Sequence, residues 1–107
     1  MKEDSLYLEH IIDCIDRITD YTEGDQGVFM NSPMVQDAVI RNLQVLSEST
    51  QKLSETLKSA HPEIHWKAIA GFRNILVHNY LGLDLAQIWI VIENRLPPLR
   101  ASLEKLL

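Results

Sequence analysis

Hydrophobic residues in this 107-residue chain recur mostly at intervals of three and four, which is the period of an α-helix. The first stripe runs from Ser5 to about Tyr21 and predicts an amphipathic helix; its apolar members are Leu8, Ile11, Ile12, Ile15 and Ile18. Cys14 lies beside this stripe, with no cation or second cysteine next to it in the sequence. A small buried thiol is therefore favoured over a reactive one.

The segment from Glu23 to Ser32 is predicted to be a loop, because half of it consists of turn and capping residues: Gly24, Asp25, Gly27, Asn31 and Ser32. Pro33 suits the first position of a helix. The second helix is predicted from Pro33 to about Lys58, with an apolar stripe formed by Val35, Ala38, Val39, Leu43, Leu46, Leu53 and Leu57.

Pro62 disfavours helix at His61, so a new segment begins there and leads into a third helix, predicted from about His65 to Tyr80. Apolar residues point around most of its circumference: Trp66, Ile69, Phe72, Ile75, Leu76 and Val77. Such a helix is either central in a bundle or buried against a second copy of the chain. We therefore expect a homodimer. Gly82 can end the helix.

Asp84 is a suitable N-cap for a fourth helix, whose stripe comprises Leu85, Ile88, Trp89, Ile92 and Leu96. Pro97 and Pro98 must kink or interrupt this helix, since each lacks a backbone donor. Trp66 and Trp89 lie on aliphatic stripes, which favours core packing over stacking on nucleobases. The predicted fold is all-α: one domain over residues 1–107, an antiparallel up-and-down bundle of four main helices.

The net charge of −5 and the pI of about 5.2 exclude a global positive field for nucleic acid. Contacts to RNA would have to be local, and the candidates for a basic track are Arg41, Lys52, Lys58 and Lys67. The longest apolar run, Ile88 to Ile92, is far too short to span a membrane, and the first 22 residues are too charged for a signal peptide. We expect a cytoplasmic protein without a membrane partner.

Candidate chemistry lies in the third helix, where Arg73 and His78 are close in an otherwise apolar stretch. Cleavage of RNA can use the substrate's own 2′-hydroxyl as nucleophile, so the protein need only move protons and stabilise charge. Histidine suits proton transfer near neutral pH, and arginine can donate two hydrogen bonds to a phosphate. Asn74 is suited to orient a phosphate oxygen or the imidazole. His61 and His65 lack a third ligand at zinc-site spacing, so no metal site is predicted.

Helical geometry limits what one copy can do. Asn74 and His78 share a face, but Arg73 and His78 diverge by roughly 140° at 3.6 residues per turn. Two copies of the helix across a dyad would bring two arginines and two histidines around one cleft, supplying a general base and a general acid. A bland alternative stays open: the same side chains can hydrogen-bond across an interface or cap a neighbouring helix. These residues alone leave function undecided.

The pattern Arg73-Asn74-x-x-x-His78-x-Tyr80 resembles the Arg-x4-His-x-Tyr signature of the HepT-like toxins, which are members of the HEPN ribonuclease superfamily. Further stretches resemble that family in the same order and cover nearly the whole chain: Arg41-Asn42-Leu43-Gln44, Lys52-Leu53-Ser54, Pro62-Glu63-Ile64-x-Trp66, Gly71-Phe72-Arg73-Asn74, Val77-His78-x-Tyr80-x-Gly82-x-Asp84 and Leu96-Pro97.

This resemblance implies a metal-independent endoribonuclease toxin of a toxin–antitoxin system, an all-helical homodimer without a cofactor and with its active site between subunits. Arg73, Asn74 and His78 are the implied catalytic residues. The implied partner is a minimal nucleotidyltransferase antitoxin of the MntA type, which would transfer AMP onto Tyr80. Two alternative functions stay open: a non-catalytic helical adaptor that binds a nucleotidyltransferase, and a domain that binds small nucleotides.

Overall fold

The computed structural model describes residues 2–77 and 84–107, apart from the side chains of Lys2 and Val77. Within these two ranges the chain is helical and contains no β-strand, which confirms the all-α fold predicted from the sequence. The helices are α1 (Lys2–Thr22), α2 (Gln26–Asn31), α3 (Pro33–Gln51), α4 (Glu55–Ala60), α5 (Trp66–Val77), α6 (Leu85–Ile90), a π-helical turn (Val91–Arg95) and α7 (Leu96–Glu104).

The long helices α1 and α3 pack against each other and form the centre of the fold, while α5 packs on α3 and α7 packs on α1. The predicted stripe of α1 is buried in full, and Cys14 is buried with it. Between α3 and α5, the Ser47 hydroxyl lies 2.9 Å from the carbonyl oxygen of Leu43 and 3.3 Å from that of Ile69. A small residue at this position lets the two helices approach closely.

The predicted loop from Glu23 to Ser32 is wrong in part, because its second half is the helix α2. Asp25 caps this helix, and its carboxylate accepts a hydrogen bond of 2.7 Å from the Gly27 amide. Phe29 is completely buried, and its ring stacks on that of Trp89 with 5.8 Å between centroids. Six residues are too few to display a helical period among so many turn formers.

The predicted second helix is also interrupted: α3 ends at Gln51, and α4 begins after Ser54. Ser54 is the N-cap of α4, and its hydroxyl accepts a hydrogen bond from the Leu57 amide. The buried carboxylate of Asp4 on α1 accepts hydrogen bonds from the Ser54 amide (2.8 Å) and hydroxyl (2.6 Å), which lower the pKa of Asp4. A contact with residue 4 is invisible to local periodicity, so the sequence pattern missed this break.

The predicted interruption at the two prolines takes the form of a π-helical turn just before them. The Leu96 amide donates to the carbonyl of Val91, five residues back, so the turn holds one residue more than an α-helical turn. The wider turn accommodates the Pro97 ring, which would clash with the carbonyl four residues earlier in a regular helix. Beyond it, α7 is tied to α1 by Arg100, whose Nε lies 2.7 Å from Oδ1 of Asp16.

Trp66 and Trp89 both have packing roles, as the sequence indicates. Trp89 is buried, and its indole N–H donates to the Glu93 carboxylate at 3.0 Å. Trp66 is half-buried and donates to the carbonyl oxygens of Lys58 (3.2 Å) and His61 (3.1 Å). Its indole therefore closes the end of α4 and fixes the corner at which α5 begins.

The third helix was predicted from His65 to Tyr80. The structure confirms its start, with α5 running from Trp66 to Val77, while His78 to Leu83 lie outside the described residues. Among the helices that are described, none has the length and apolar character that crossing a membrane demands.

Candidate active site

Arg73 and Asn74 are adjacent on α5 and both are exposed. The opposite side of the helix is held in the core by Ile69, Phe72 and Leu76, all of which are buried. This apolar anchoring fixes the rotation of the helix and turns the guanidinium and the amide outward. Within residues 2–77 and 84–107, no hydrogen bond or salt bridge involves the Arg73 side chain.

The apolar character of α5 has a simpler origin than the sequence suggested. Besides the three buried residues, Trp66 and Ile75 are half-buried and pack against the same core. Much of the apolar surface is therefore covered within one chain. What remains outward is a polar strip, so the expectation of a homodimer rests on the divergence of Arg73 and His78 rather than on uncovered hydrophobic area.

A shallow groove runs between the end of α3 and the outer side of α5. Arg73 and Asn74 form part of its wall, and the described residues that line it are Gln51, Lys67, Ala70, Gly71, Arg73 and Asn74. None of these described lining residues is acidic. The groove therefore combines two cations and two amides next to a floor of small residues, which suits an anionic ligand.

Gly71 is an unusual residue for the interior of α5, where glycine costs about 1 kcal/mol relative to alanine. A Cβ atom built at this position meets nothing within 4 Å, and the glycine has no left-handed backbone conformation. The folded chain therefore has room for a larger residue here. The absent side chain leaves the backbone open along the floor of the groove.

Of the four predicted site residues, Arg73 and Asn74 are placed together by the structure, whereas His78 and Tyr80 lie outside the described residues. Gln51, Lys67 and Gly71 join the candidate site through the groove. Sequence reasoning did not assign Gln51 or Gly71 to the site. A glycine within a helical pattern is a signal that could have identified Gly71, whereas Gln51 is brought there only by the packing of α3 on α5.

The predicted basic track is only partly assembled. Lys58 and Lys67 line one hollow beside the groove, together with Trp66 and the acidic Glu55. Lys52 instead places its ammonium group 5.9 Å from the centre of the Tyr7 ring. Arg41 is exposed on α3 about 15 Å along the helix from Gln51. Lys67 is thus the member of the track that lies with Arg73.

The other reactive side chains singled out in the sequence have local roles. Burial raises the pKa of the Cys14 thiol, which keeps it protonated and matches a packing residue. His61 lies with Nδ1 3.2 Å from Oε1 of Glu63, and His65 is exposed before α5. In the part of the chain that is described, no group of three or more histidine, cysteine or acidic side chains could hold a metal ion.

A second hollow lies on another side of α5, between that helix and α7. It has an apolar floor that includes Ile69, Phe72 and Leu99, with His65 and Arg95 among the polar residues at its rim. Neither Arg73 nor Asn74 lines it. The two motif residues that the structure describes, Arg73 and Asn74, therefore belong to the α3–α5 groove.

Comparison with known proteins identifies the family of this chain. The family model described as ribonuclease HepT-like matches residues 11–106. A protein of Thermococcus cleftensis named "Probable ribonuclease HepT" is 35% identical over 101 residues, which cover 94% of this chain and 92% of that protein. A candidate RNase of Caldanaerobacter subterraneus subsp. tengcongensis is 32% identical over 111 residues, covering 100% of this chain and 96% of the relative.

A third relative, from Methanocaldococcus jannaschii, is named as a gamma-glutamylcyclotransferase and candidate RNase. It is 33% identical over 107 residues, which cover 99% of this chain but only 48% of that protein. The chain thus spans about half the length of this relative. No solved structure matches the chain. The match over residues 11–106 confirms the resemblance drawn from the sequence, and the chain belongs to the ribonuclease HepT-like family.

Proposed function

We propose that this chain is a metal-independent endoribonuclease, the toxin of a toxin–antitoxin system, and that it acts as a homodimer in the cytoplasm. The observation that carries this proposal is the exposed pair of Arg73 and Asn74 in a groove whose described lining residues include no acidic side chain. A guanidinium held outward by a buried helix face is suited to bind a phosphodiester. The ribonuclease family to which the chain belongs supports the choice of RNA.

The proposed reaction is an in-line attack of a ribose 2′-hydroxyl on the neighbouring phosphorus. One histidine removes the hydroxyl proton as the bond between the 2′-oxygen and phosphorus forms. The bond from phosphorus to the 5′-oxygen then breaks, and a second acid donates a proton to that oxygen. Arg73 stabilises the negative charge that develops on the phosphorane, and Asn74 orients one of its oxygens. The products are a 2′,3′-cyclic phosphate and a free 5′-hydroxyl.

A dimer would resolve the geometry of this reaction. On a continuous helix, Arg73 and His78 would point in directions roughly 140° apart, so the two side chains of a single copy would not face the same phosphate. A second copy related by a dyad would supply the facing arginine and histidine, and with them both the base and the acid. The exposed strip of α5 is the surface on which the two copies would form their shared cleft.

Proposed reaction conditions follow from the use of the substrate's hydroxyl. Purified protein should cleave a single-stranded RNA in the presence of EDTA and leave 2′,3′-cyclic phosphate ends, which mass spectrometry of the fragments detects. An RNA with a 2′-deoxyribose 5′ to the scissile phosphate should resist cleavage at that bond, because it lacks the nucleophile. Cleavage of the substituted bond would contradict the mechanism. An inactive preparation that instead alters the activity of a nucleotidyltransferase partner would support the adaptor function.

Tyr80 is the proposed point of control. It follows His78 by two residues in the motif, so an AMP group added there by an MntA-type nucleotidyltransferase would bring a phosphate and bulk to the cleft and repel RNA. Co-expression with such an enzyme should raise the intact mass by one or more AMP units. Tyr80→Phe should abolish the increase and leave the chain toxic. Equal labelling of the variant would move the target to Tyr7 or Tyr21.

A further inference from the structure

The charges of this chain are segregated, which reconciles an acidic protein with an anionic ligand. Residues 1–26 carry eight acidic and two basic side chains, whereas residues 27–107 carry seven acidic and eight basic ones. The whole of α5 has Lys67 and Arg73 and no acidic residue. The excess negative charge is thus confined to α1 and the turn that follows it, and the α5 surface is locally basic.

The groove beside Arg73 extends further along α5 than the motif does. Lys67 lies six residues before Arg73, about 9 Å along the helix axis, and both line the groove. Two acidic residues lie on the neighbouring helices: Glu48 is three residues before Gln51 on α3, and Glu55 lines the adjacent hollow. Neither lines the groove. Among the described residues, the polar side chains that a phosphate in the groove would meet are cations and amides.

Gly71 lies between these two cations in the sequence and forms part of the floor. Neither packing nor backbone conformation within the chain requires a glycine there, because a Cβ atom would meet nothing within 4 Å. A glycine that weakens its helix and leaves an open surface is explained by something outside the chain that comes close to the backbone. Because Gly71 lies in a basic groove, a molecule that approaches its backbone is expected to be anionic.

We propose that the groove is a phosphate subsite for the RNA strand, in which Lys67 binds a phosphate next to the one held by Arg73 and Gly71 admits the sugar–phosphate backbone. This inference rests on the proposed function and extends it to a binding residue outside the motif. In the proposed dimer the second copy borders the shared cleft along this strip but does not fill the groove, because filling it would bring Lys67 and Arg73 of both copies together without an acidic residue on either α5.

The test uses a fully 2′-O-methylated oligonucleotide, which the parent protein binds but does not cleave, titrated between 50 and 300 mM salt. Lys67→Gln should weaken binding by about fivefold at 0.1 M salt and make the salt dependence shallower by about 0.7, the contribution of one phosphate contact to a single strand. The matched control is Lys105→Gln, which removes the same charge from the exposed end of α7. Its affinity and salt dependence should equal those of the parent.

A second pair of variants tests the floor of the groove. Gly71→Leu adds a side chain at a position where a Cβ atom meets nothing within 4 Å; it should keep the helical circular dichroism of the parent and weaken binding at least as much as Lys67→Gln. Ala101→Leu adds the same side chain at an exposed position of α7 and should bind normally. If Lys67→Gln and Gly71→Leu both bind like the parent, the subsite is wrong. If they change the dimer dissociation constant in sedimentation while RNA affinity per dimer is unchanged, the groove holds a second copy and the proposal is equally wrong.

Cleavage of an unmodified RNA separates this inference from the proposed function. If the parent cleaves RNA, Lys67→Gln should raise KM by more than it lowers kcat. An unchanged KM would contradict the phosphate subsite but leave the proposed ribonuclease function standing. If the parent binds the methylated strand through Lys67 but does not cleave RNA, the phosphate subsite is supported and the proposed ribonuclease function is contradicted. A parent that neither binds nor cleaves would overturn both.

Discussion

We expect His78→Ala to lower the rate constant for RNA cleavage by about 10²- to 10⁴-fold, the range lost when a general acid–base is removed. The imidazole is the side chain of the motif whose pKa permits it to take and return a proton near neutral pH. Arg73 is proposed to hold a phosphate and stabilise charge, and neither role replaces proton transfer. Single-turnover cleavage of a labelled RNA with saturating protein measures the effect directly.

His65→Ala is the matched control, because His65 is an exposed histidine just before α5 that lies outside the groove. It should cleave RNA at the rate of the parent. Both variants should have the helical circular dichroism of the parent. If His78→Ala cleaves RNA as fast and is as toxic as the parent chain, His78 has no catalytic role and the proposed mechanism fails.

The same variant can reveal whether one cleft needs a histidine from each copy. When an equal amount of His78→Ala chain is mixed with the parent and allowed to exchange, random pairing leaves half of the parent chains in parent dimers. Activity should then fall to roughly half if both histidines are needed. Activity that stays at the level of the parent alone would mean that one histidine is enough for each cleft.

Helix positions in this fold were predictable wherever a long apolar stripe packs on another. The stripe of α1 is buried as its spacing of three and four predicts, and the same is true of Val39, Leu43 and Leu46 on α3. Local periodicity failed where distant residues decide the structure. Ser54 ends one helix and begins another because the Asp4 carboxylate receives its amide and hydroxyl. Nothing near Ser54 in the sequence announces that contact.

The candidate site was predictable in the same uneven way. Arg73 and Asn74 are neighbours in the sequence, and the apolar residues around them determine which side of α5 is buried, so their exposure follows from helical geometry. The groove could not be predicted from helical geometry, because Gln51 comes from another helix and Gly71 contributes by lacking a side chain. The family could be recognised from the sequence because the order of the motifs along the chain is independent of how the helices pack.

Phe29→Ala is expected to lower the free energy of unfolding by about 3–5 kcal/mol, the usual cost of truncating a fully buried phenylalanine. Phe29 is completely buried and stacks on Trp89, so the variant loses both transfer energy and an aromatic pair. A small domain has only about 5–15 kcal/mol of stability, so the loss is a large share of the total. Urea unfolding followed by circular dichroism gives the value.

Two variants locate the cause of that loss. Phe29→Leu keeps most of the buried volume and should cost about 1–1.5 kcal/mol, whereas Met34→Ala, at a side chain that is 79% exposed at the start of α3, should change stability by less than about 0.5 kcal/mol. If Phe29→Ala costs no more than Met34→Ala, α2 is not an anchor of the core. An anchor is what the packing indicates, because the ring joins a segment that reads as a loop to α6, the helix that begins seven residues after His78. The position of α6 would then depend on the contact between Trp89 and Phe29 of α2.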